Sequence, residues 1–442
     1  MRKLKHPMHV SCLKGHLVLL TLVLGLNFAG HSQNERVRIK NSEKTIEVSI
    51  SGRPVLTYNK VPTEEAPNHE PHFKRSGYIH PLYSPSGKVV TGDFPEDHKH
   101  QHALFFAWTK TKFENRKPEF WNQKLEAGKI SFVGVVEGSV VSAKGKGGFA
   151  VEHLWEDLTA SDGPVPVLKE TWKVTVFDVG RDRHVFEIES VQEVIGEKPL
   201  TIEKYHYGGM AFRGPDSWFV DDKKAPPPSV ILTSDGLARI EGNHTRPSWV
   251  AMSGPVEGGN AGVAVLSDRR NFRFPQWVRL HPTKPYFVYS PMVEEAFQIR
   301  AGEPYVSRFR YVVYDGETDS QMMEREGSKM IDEFWEGHDL ANSRWKFTHL
   351  ATGKVSTVEF SDTKIEVQPD LLDYGLPFTN GAKFERLDGT IYDVSSVIVK
   401  TRGGKVESID KLISLQHYEH GGRLYLQTTA DDDFLMEPLV VE

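Results

Sequence analysis

Three short segments hold most of the side chains in this sequence that could move protons, ligate a metal or grip an anion. The densest is Asp97-His98-Lys99-His100-Gln101-His102, which runs into the apolar stretch Ala103-Leu104-Phe105-Phe106-Ala107-Trp108. In an extended chain, side chains alternate faces, so His98, His100 and His102 share one side while Lys99 and Gln101 take the other. Three imidazoles on one face can hold a divalent metal through neutral nitrogens. They can equally act as acid and base, since an unperturbed histidine titrates at about pH 6.5. Trp108, which closes the run, offers a flat apolar face suited to a sugar ring. Histidines on the solvent side of a strand give the same spacing with no chemistry attached.

The second segment is Lys204-Tyr205-His206-Tyr207-Gly208-Gly209, reaching Arg213. Alternation puts Lys204 and His206 on one face and Tyr205 and Tyr207 on the other, and the glycine pair lets a ligand or another backbone approach closely. A tyrosine beside a cation can have its pKa lowered and serve as a base, although tyrosine bodies also fill sandwich cores. The third segment, Arg269-Arg270-Asn271-Phe272-Arg273-Phe274-Pro275 with Trp277, Arg279 and His281, interleaves guanidinium groups with aromatic rings. That mixture can clamp a carboxylate or sulfate and the sugar beside it. Arginine stems laid over apolar surface produce the same composition.

The scaffold expected to position these groups is β-sheet. Thr45 to Tyr58 alternates apolar and polar residues around Ser51-Gly52, a hairpin pattern. Short runs of the same kind recur at 130–141, 149–155, 168–179, 184–194, 229–232, 262–266, 285–289 and 305–314. With no helical period between them, they predict a mainly β fold, an antiparallel β-sandwich of the supersandwich kind over residues 33–340. One short helix is expected from Ser320 to Trp335, capped by Thr318 or Asp319, with Met322, Met330, Ile331, Phe334 and Trp335 as its apolar face. Residues 345–442 return to short β-like runs with turns at Gly403-Gly404 and Gly421-Gly422, the pattern of a small C-terminal β module.

Composition narrows the class of partner. The 54 Lys and Arg against 60 Asp and Glu give a formal net charge of -6 without a basic block, so nucleic acid is not an expected partner. Residues 1–32 read as a signal peptide: Arg2, Lys3, Lys5 and Lys14, then an apolar run from Leu17 to Ala29, then small and polar residues. A membrane-spanning helix needs about 20 apolar residues, and no stretch of the sequence reaches that length. The expected location is therefore the periplasm or the medium. Cys12 is the only cysteine and would leave with the signal, which rules out disulfides, thiolate metal sites and a cysteine nucleophile in the remainder. No Gly-x-Gly-x-x-Gly after a strand, P-loop, His-Glu-x-x-His or Gly-x-Ser-x-Gly is present.

Gly77-Tyr78-Ile79-His80-Pro81-Leu82 with Ser84-Pro85-Ser86-Gly87, Asp97-His98-Lys99-His100, and Tyr207-Gly208-Gly209-Met210-Ala211-Phe212-Arg213 together resemble the bacterial family named methane oxygenase PmoA. The resemblance runs from Lys44 to Trp335, and Asn271 to Pro275 and Tyr311 to Gly316 also fit. It implies His98 and His100 as site residues. The family tends to continue His-Arg-Gly after its second histidine; this chain has Gln101-His102-Ala103, which makes His102 a relocated partner. It also carries Asp268-Arg269 where the family tends to have Asp-His. A membrane oxygenase subunit needs several transmembrane helices, so what the resemblance implies is a sugar-processing sandwich.

Taken together, these readings predict an exported carbohydrate-active enzyme, a lyase or dehydratase that eliminates across C4 and C5 of a uronic acid residue. His98, His100, Tyr205, His206 and Tyr207 are the expected proton-transfer groups, and Lys204, Arg213, Arg279, His281 and Trp108 the expected substrate contacts. Two alternatives are a carbohydrate-binding protein without turnover and a metal-dependent glycoside hydrolase with a divalent metal on His98, His100 and His102. An oligosaccharide is the expected partner in each case; the sequence carries no signal for an oligomeric state.

Overall fold

The computed structural model describes residues 36–336 apart from 64–68 and 222–224, with side chains to Met330, and beyond them the backbone of the strands between Ser343 and Pro438. The expected signal peptide, the Gly403-Gly404 and Gly421-Gly422 turns, and the side chains of Ile331, Phe334 and Trp335 lie outside the described residues. Among those described, no helix is long and apolar enough to cross a membrane.

Alternation of buried and open residues builds two antiparallel sheets. Strand Thr45–Ile50 buries Ile46, Val48 and Ile50, and its hairpin partner Arg53–Asn59 follows a turn in which Ser51 and Gly52 adopt φ of 49° and 80°. Positive φ at both central residues matches the right-handed twist of the flanking strands. The first sheet runs in the order 37–41, 45–50, 53–59, 78–82, 104–107, 209–213, 286–289, 278–280. The second runs 230–233, 249–256, 259–267, 305–315, 183–194, 165–177, 146–157, 128–135. Their facing sides fill the core. Phe106 packs edge-on to Trp155 at 6.2 Å, and the Tyr289 hydroxyl donates to the Val265 carbonyl at 2.8 Å. Each fully buried large side chain contributes roughly 1.5–3 kcal/mol.

Within this core lies one buried carboxylate with five donors. Glu170 Oε2 accepts from His153 Nδ1 at 3.0 Å and Trp155 Nε1 at 2.9 Å. Its Oε1 accepts from Trp172 Nε1, Ser190 Oγ and Gln192 Nε2 at 2.8, 2.6 and 3.0 Å. The network then crosses to the first sheet: Tyr58 OH meets His153 Nε2 at 2.7 Å, and Trp108 Nε1 donates to Gln192 Oε1 at 2.7 Å. Burial alone would raise the Glu170 pKa, but the hydrogen bonds from His153, Ser190 and Gln192 outweigh it and hold the pKa below its ordinary value. Gly77 is required beside this network. Its φ is +76°, and a Cβ there would sit 3.0 Å from the His153 ring.

The helix spans Ser320–Glu336 and is capped by Asp319, whose Oδ1 accepts the N–H groups of Gln321 and Met322. Thr318 instead bonds the Tyr314 hydroxyl. Among the described residues the buried apolar side chains are Met323 and Met330, seven residues apart on one stripe with the buried Glu326 between them, while Met322, expected in the core, is only partly buried. From Ser343 onward the strands pair in sequence and the first pairs with the last, Ser343–His349 against Asp433–Pro438, closing a barrel.

Replacing Glu170 with Gln puts a donor where five donors already converge. The expected result is a loss of roughly 3 kcal/mol or more, read as a lower urea midpoint with unchanged slope. Tyr58→Phe, which removes one hydrogen bond, should cost about 1 kcal/mol. A Glu170→Gln midpoint equal to wild type would show that the carboxylate does not hold the sheets together.

Candidate functional site

The register of the first sheet decides which side chains face away from the core. Arg213 pairs with Tyr286, Ala211 with both Phe105 and Val288, and Val288 with Arg279. Residues on one row point to one side, and the intervening Phe106, Met210, Phe212 and Tyr289 belong to the core. Arg213, Tyr286 and Arg279 therefore stand on the outer face, met by side chains from the loops 92–103 and 203–208 and the turn 281–285. The glycine pair makes this possible: a Cβ on Gly209, whose φ is +125°, would lie 2.2 Å from the Tyr289 carbonyl oxygen.

The 97–102 segment is not extended. The His98 N–H bonds the Pro95 carbonyl and the Gln101 N–H bonds the His98 carbonyl, so the chain turns twice, entered and left through Phe94 and Ala103 at φ of 50° and 53°. His98 and His100 stay together, with ring centroids 5.4 Å apart. His102 does not share their face. It is fully buried, with Nδ1 2.9 Å from Asp93 Oδ1 and Nε2 3.0 Å from Gln123 Oε1. Both its nitrogens are engaged, so the expected three-imidazole metal face does not form. Gln101 turns inward and Lys99 outward to Glu70.

Asp97 is the anchor of the group. Its Oδ1 accepts from Arg213 Nη2 at 3.2 Å, its Oδ2 accepts from His98 Nδ1 at 3.1 Å, and Lys284 Nζ also donates to Oδ2. Burial pushes its pKa up, but hydrogen bonds from His98 and Lys284 and the charge of Arg213 outweigh that and hold it far below the usual carboxylate range. Arg213 is itself fully buried and also donates to Gln101 Oε1 at 3.0 Å. Expected as a substrate contact, it instead fixes Asp97.

Because a carboxylate only accepts, Nδ1 of His98 is protonated, and in the neutral ring Nε2 is the acceptor. His281 is arranged the opposite way. Its Nδ1 accepts the backbone N–H groups of Thr283 and Lys284 at 3.2 and 3.0 Å, so its proton sits on Nε2. Burial, then Arg279, Lys284 and His98, push the His281 pKa down to about 3. Burial, then His98 and His102, push His100 down to about 3. The His98 ring is 6.3 Å from both His281 and Tyr286, and the His281 ring is 5.0 Å from Tyr286.

Tyr286 joins the two halves of the site. Burial raises the pKa of its hydroxyl, outweighing the lowering effect of Arg279 beside it. Arg279 donates to the Leu280 carbonyl, its Nε is buried without a partner, and among the described residues it has no carboxylate partner. It also lies close enough to lower the pKa values of His206 and His244, after burial in each case. Tyr207 packs on Trp121 at 5.2 Å; burial raises its pKa against the lowering effect of Asn122, with smaller contributions from Tyr205 and Tyr286.

The 203–208 segment forms no strand, so its expected alternation fails. The rings of Tyr205, His206 and Tyr207 touch one another with centroids 4.2–5.0 Å apart. The cation beside Tyr205 is Lys110, 4.1 Å above the ring rather than at the hydroxyl. Lys204 is exposed. Trp108 is fully buried in the core, its Nε1 held by Gln192, and offers no face to a substrate. The arginine-rich segment disperses: Arg270 pairs with Asp268, and Arg273 donates to the carbonyls of Pro291 and Glu295. Asp97 stands in the histidine segment without a role assigned from sequence, and Lys284, Tyr286 and His244 were not given a role in the site. The signal for two of them was the dense turn His281-Pro282-Thr283-Lys284-Pro285-Tyr286.

A model of a family of unknown function, DUF6807, matches residues 45–327. No curated protein matches the sequence. Among solved structures, a heparan sulfate lyase from Pedobacter heparinus is 10% identical with a TM-score of 0.23, covering 87% of this chain and 42% of its own. Heparinase III is 10% identical with a TM-score of 0.24, covering 76% and 40%. An α-N-acetylgalactosaminidase from Bifidobacterium bifidum is 10% identical with a TM-score of 0.25, covering 70% and 39%. The chain spans about two fifths of the length of each.

The site imposes a pH dependence on stability. His281 and His100 are neutral in the folded protein down to about pH 3 but take up a proton near their ordinary value of 6.5 once unfolded. Between those limits the unfolded state binds more protons, so stability rises with pH and is lost on acidification. His281→Gln and His100→Gln should flatten urea midpoints measured from about pH 7 down to about pH 4. An unchanged slope would mean that both imidazoles are already charged in the folded protein.

Proposed function

Given that the chain belongs to the DUF6807 family, whose function its family name leaves open, we propose that it is a carbohydrate-active enzyme that eliminates across C4 and C5 of a uronic acid residue. The observation that carries this reading is the complementary pair of imidazoles. His98 presents an acceptor nitrogen and His281 a donor N–H, beside an arginine with no carboxylate partner among the described residues.

Elimination requires the sugar carboxylate to be neutralised so that the C5 proton becomes acidic. Arg279 and the His281 Nε2–H fit that task. A neutral imidazole donating a hydrogen bond stabilises charge that develops on an oxygen without giving up its proton. His98 Nε2 takes the C5 proton, and the Asp97 carboxylate stabilises the imidazolium that forms. The C5–H electron pair becomes the C4–C5 double bond. The C4–O bond breaks, and the departing oxygen takes the bond pair and a proton from a tyrosine hydroxyl, Tyr286 or Tyr207. Burial keeps both hydroxyls protonated at neutral pH. His100 and His206 line this chemistry as neutral hydrogen-bonding groups. The basic start and the apolar run from Leu17 to Ala29 support action outside the cytoplasm.

The test is incubation with a panel of uronic-acid oligosaccharides, following ultraviolet absorbance of the new double bond and product mass. Chain cleavage identifies a lyase, and loss of water a dehydratase. His98→Ala should lower kcat by about 100-fold or more, and Arg279→Gln should raise KM and lower kcat together. Binding of the same oligosaccharides without new absorbance would overturn elimination and assign the site to sugar binding alone.

A further inference from the structure

We propose that Arg239, remote from His281 in sequence, is a positioning residue that locks the imidazole of His281 in the tautomer with its proton on Nε2. The functional meaning of this lock rests on the proposed role of His281; its structural content does not.

Arg239 is 7% exposed, and no carboxylate bonds its guanidinium among the described residues. Its four hydrogen bonds go to neutral acceptors. Nη1 donates to the carbonyls of His281 and Lys284 at 2.9 and 2.8 Å, and Nη2 to the carbonyl and hydroxyl of Ser229 at 2.9 and 2.7 Å. A buried cation without a counter-ion is expensive to keep. Here one prong, Nη1, bridges the carbonyls at both ends of the turn His281-Pro282-Thr283-Lys284, while the other, Nη2, is anchored on Ser229. With its two carbonyls pinned, the turn aims the Thr283 and Lys284 N–H groups back at His281 Nδ1. Pro282 and Pro285 supply no N–H of their own, so these two are the donors the turn has to give. A lysine keeps the charge but has no second prong to anchor on Ser229, so it cannot hold its donor over both carbonyls in the same geometry. The positive charge of Arg239 also adds to the field that keeps His281 neutral.

The experiment is a long-range proton–nitrogen NMR spectrum of the imidazoles in the full-length protein, with His281 assigned by its loss in His281→Gln. The wild type should show Nδ1 unprotonated and Nε2 protonated. Arg239→Gln should convert this to averaging between tautomers, with kcat on the uronic-acid substrate falling roughly 10- to 100-fold and KM rising, since His281 shares the sugar carboxylate with Arg279. Ser229→Ala, which removes one bond from the far prong, should leave the tautomer alone. If Arg239→Gln does not fold, Arg239→Lys gives the same reading, since it keeps the charge and loses the prong anchored on Ser229. A single Nε2–H tautomer in a folded Arg239 variant overturns the proposal, whether or not the protein turns over sugar. A tautomer shift in a protein inactive on every uronide upholds the lock and removes only the elimination reading.

Discussion

The carboxylate of Glu170 is the constraint on which the two-sheet architecture depends. An ionised group at full burial is tolerated only when its lone pairs are met, and five donors from three neighbouring strands and their tryptophans meet them. Because His153 and Gln192 pass the network on to Tyr58 and Trp108, the same charge ties the second sheet to the first. Trp108 directly follows strand Leu104–Ala107, the strand that emerges from the histidine loop. Registration of that loop over the outer face is thus set from inside the core. Apolar packing alone would tolerate small slides between the sheets; a hydrogen-bonded charge does not.

A second carboxylate, Asp97, repeats the arrangement on the other side of the first sheet with a different outcome. Glu170 is closed in on every side by protein donors, while Asp97 spends its lone pairs on Arg213, Lys284 and His98, of which only His98 brings a second nitrogen that can accept a proton. Two cations against one carboxylate would leave the loop positive. The neighbouring imidazoles respond by staying neutral, which is where burial and the arginines push them. The result is a face in which proton acceptors and donors are assigned by hydrogen bonding rather than by bulk pH.

Much of the scaffold was legible in the sequence because sheet formation leaves a period-two signature that side-chain chemistry does not disturb. The hairpin at Ser51-Gly52 and the long strands of the second sheet follow from that alone. The same rule misled at the site. Applied to 97–102 and 204–207, alternation presumed extended chain, yet these are loops whose turns depend on left-handed residues such as Phe94 and Ala103, neither a residue type that advertises that conformation. Hence His102 was grouped with His98 and His100 although it pairs with Asp93. Trp108 was read by its aromatic face, but nothing local distinguishes a tryptophan whose N–H is needed 84 positions away by Gln192. His98, His100, Arg279 and His281 were found because their types alone are chemically conspicuous. Tyr286 and Lys284 passed as strand and turn, since their roles appear only when the Tyr286 strand is laid beside Arg213.

Arg279 and Arg239 show how one residue type divides into two tasks according to what surrounds it. Arg239 has all its bonds spent on backbone carbonyls and a serine, so its charge is structural, and it acts on the site through the shape of a turn. Arg279 lies two residues before that turn's histidine, on the edge strand Val278–Leu280. It keeps a buried Nε without a protein partner while donating to the Leu280 carbonyl beside the Tyr286 hydroxyl. A guanidinium left partly unsatisfied among neutral histidines and protonated tyrosines is complementary to a planar anion, because a carboxylate would supply the missing acceptors in the geometry the fork already presents. In the proposed elimination, preference for an acidic sugar would follow from the charge that the fold leaves uncompensated, and the direction of proton flow from two imidazoles held in opposite tautomers.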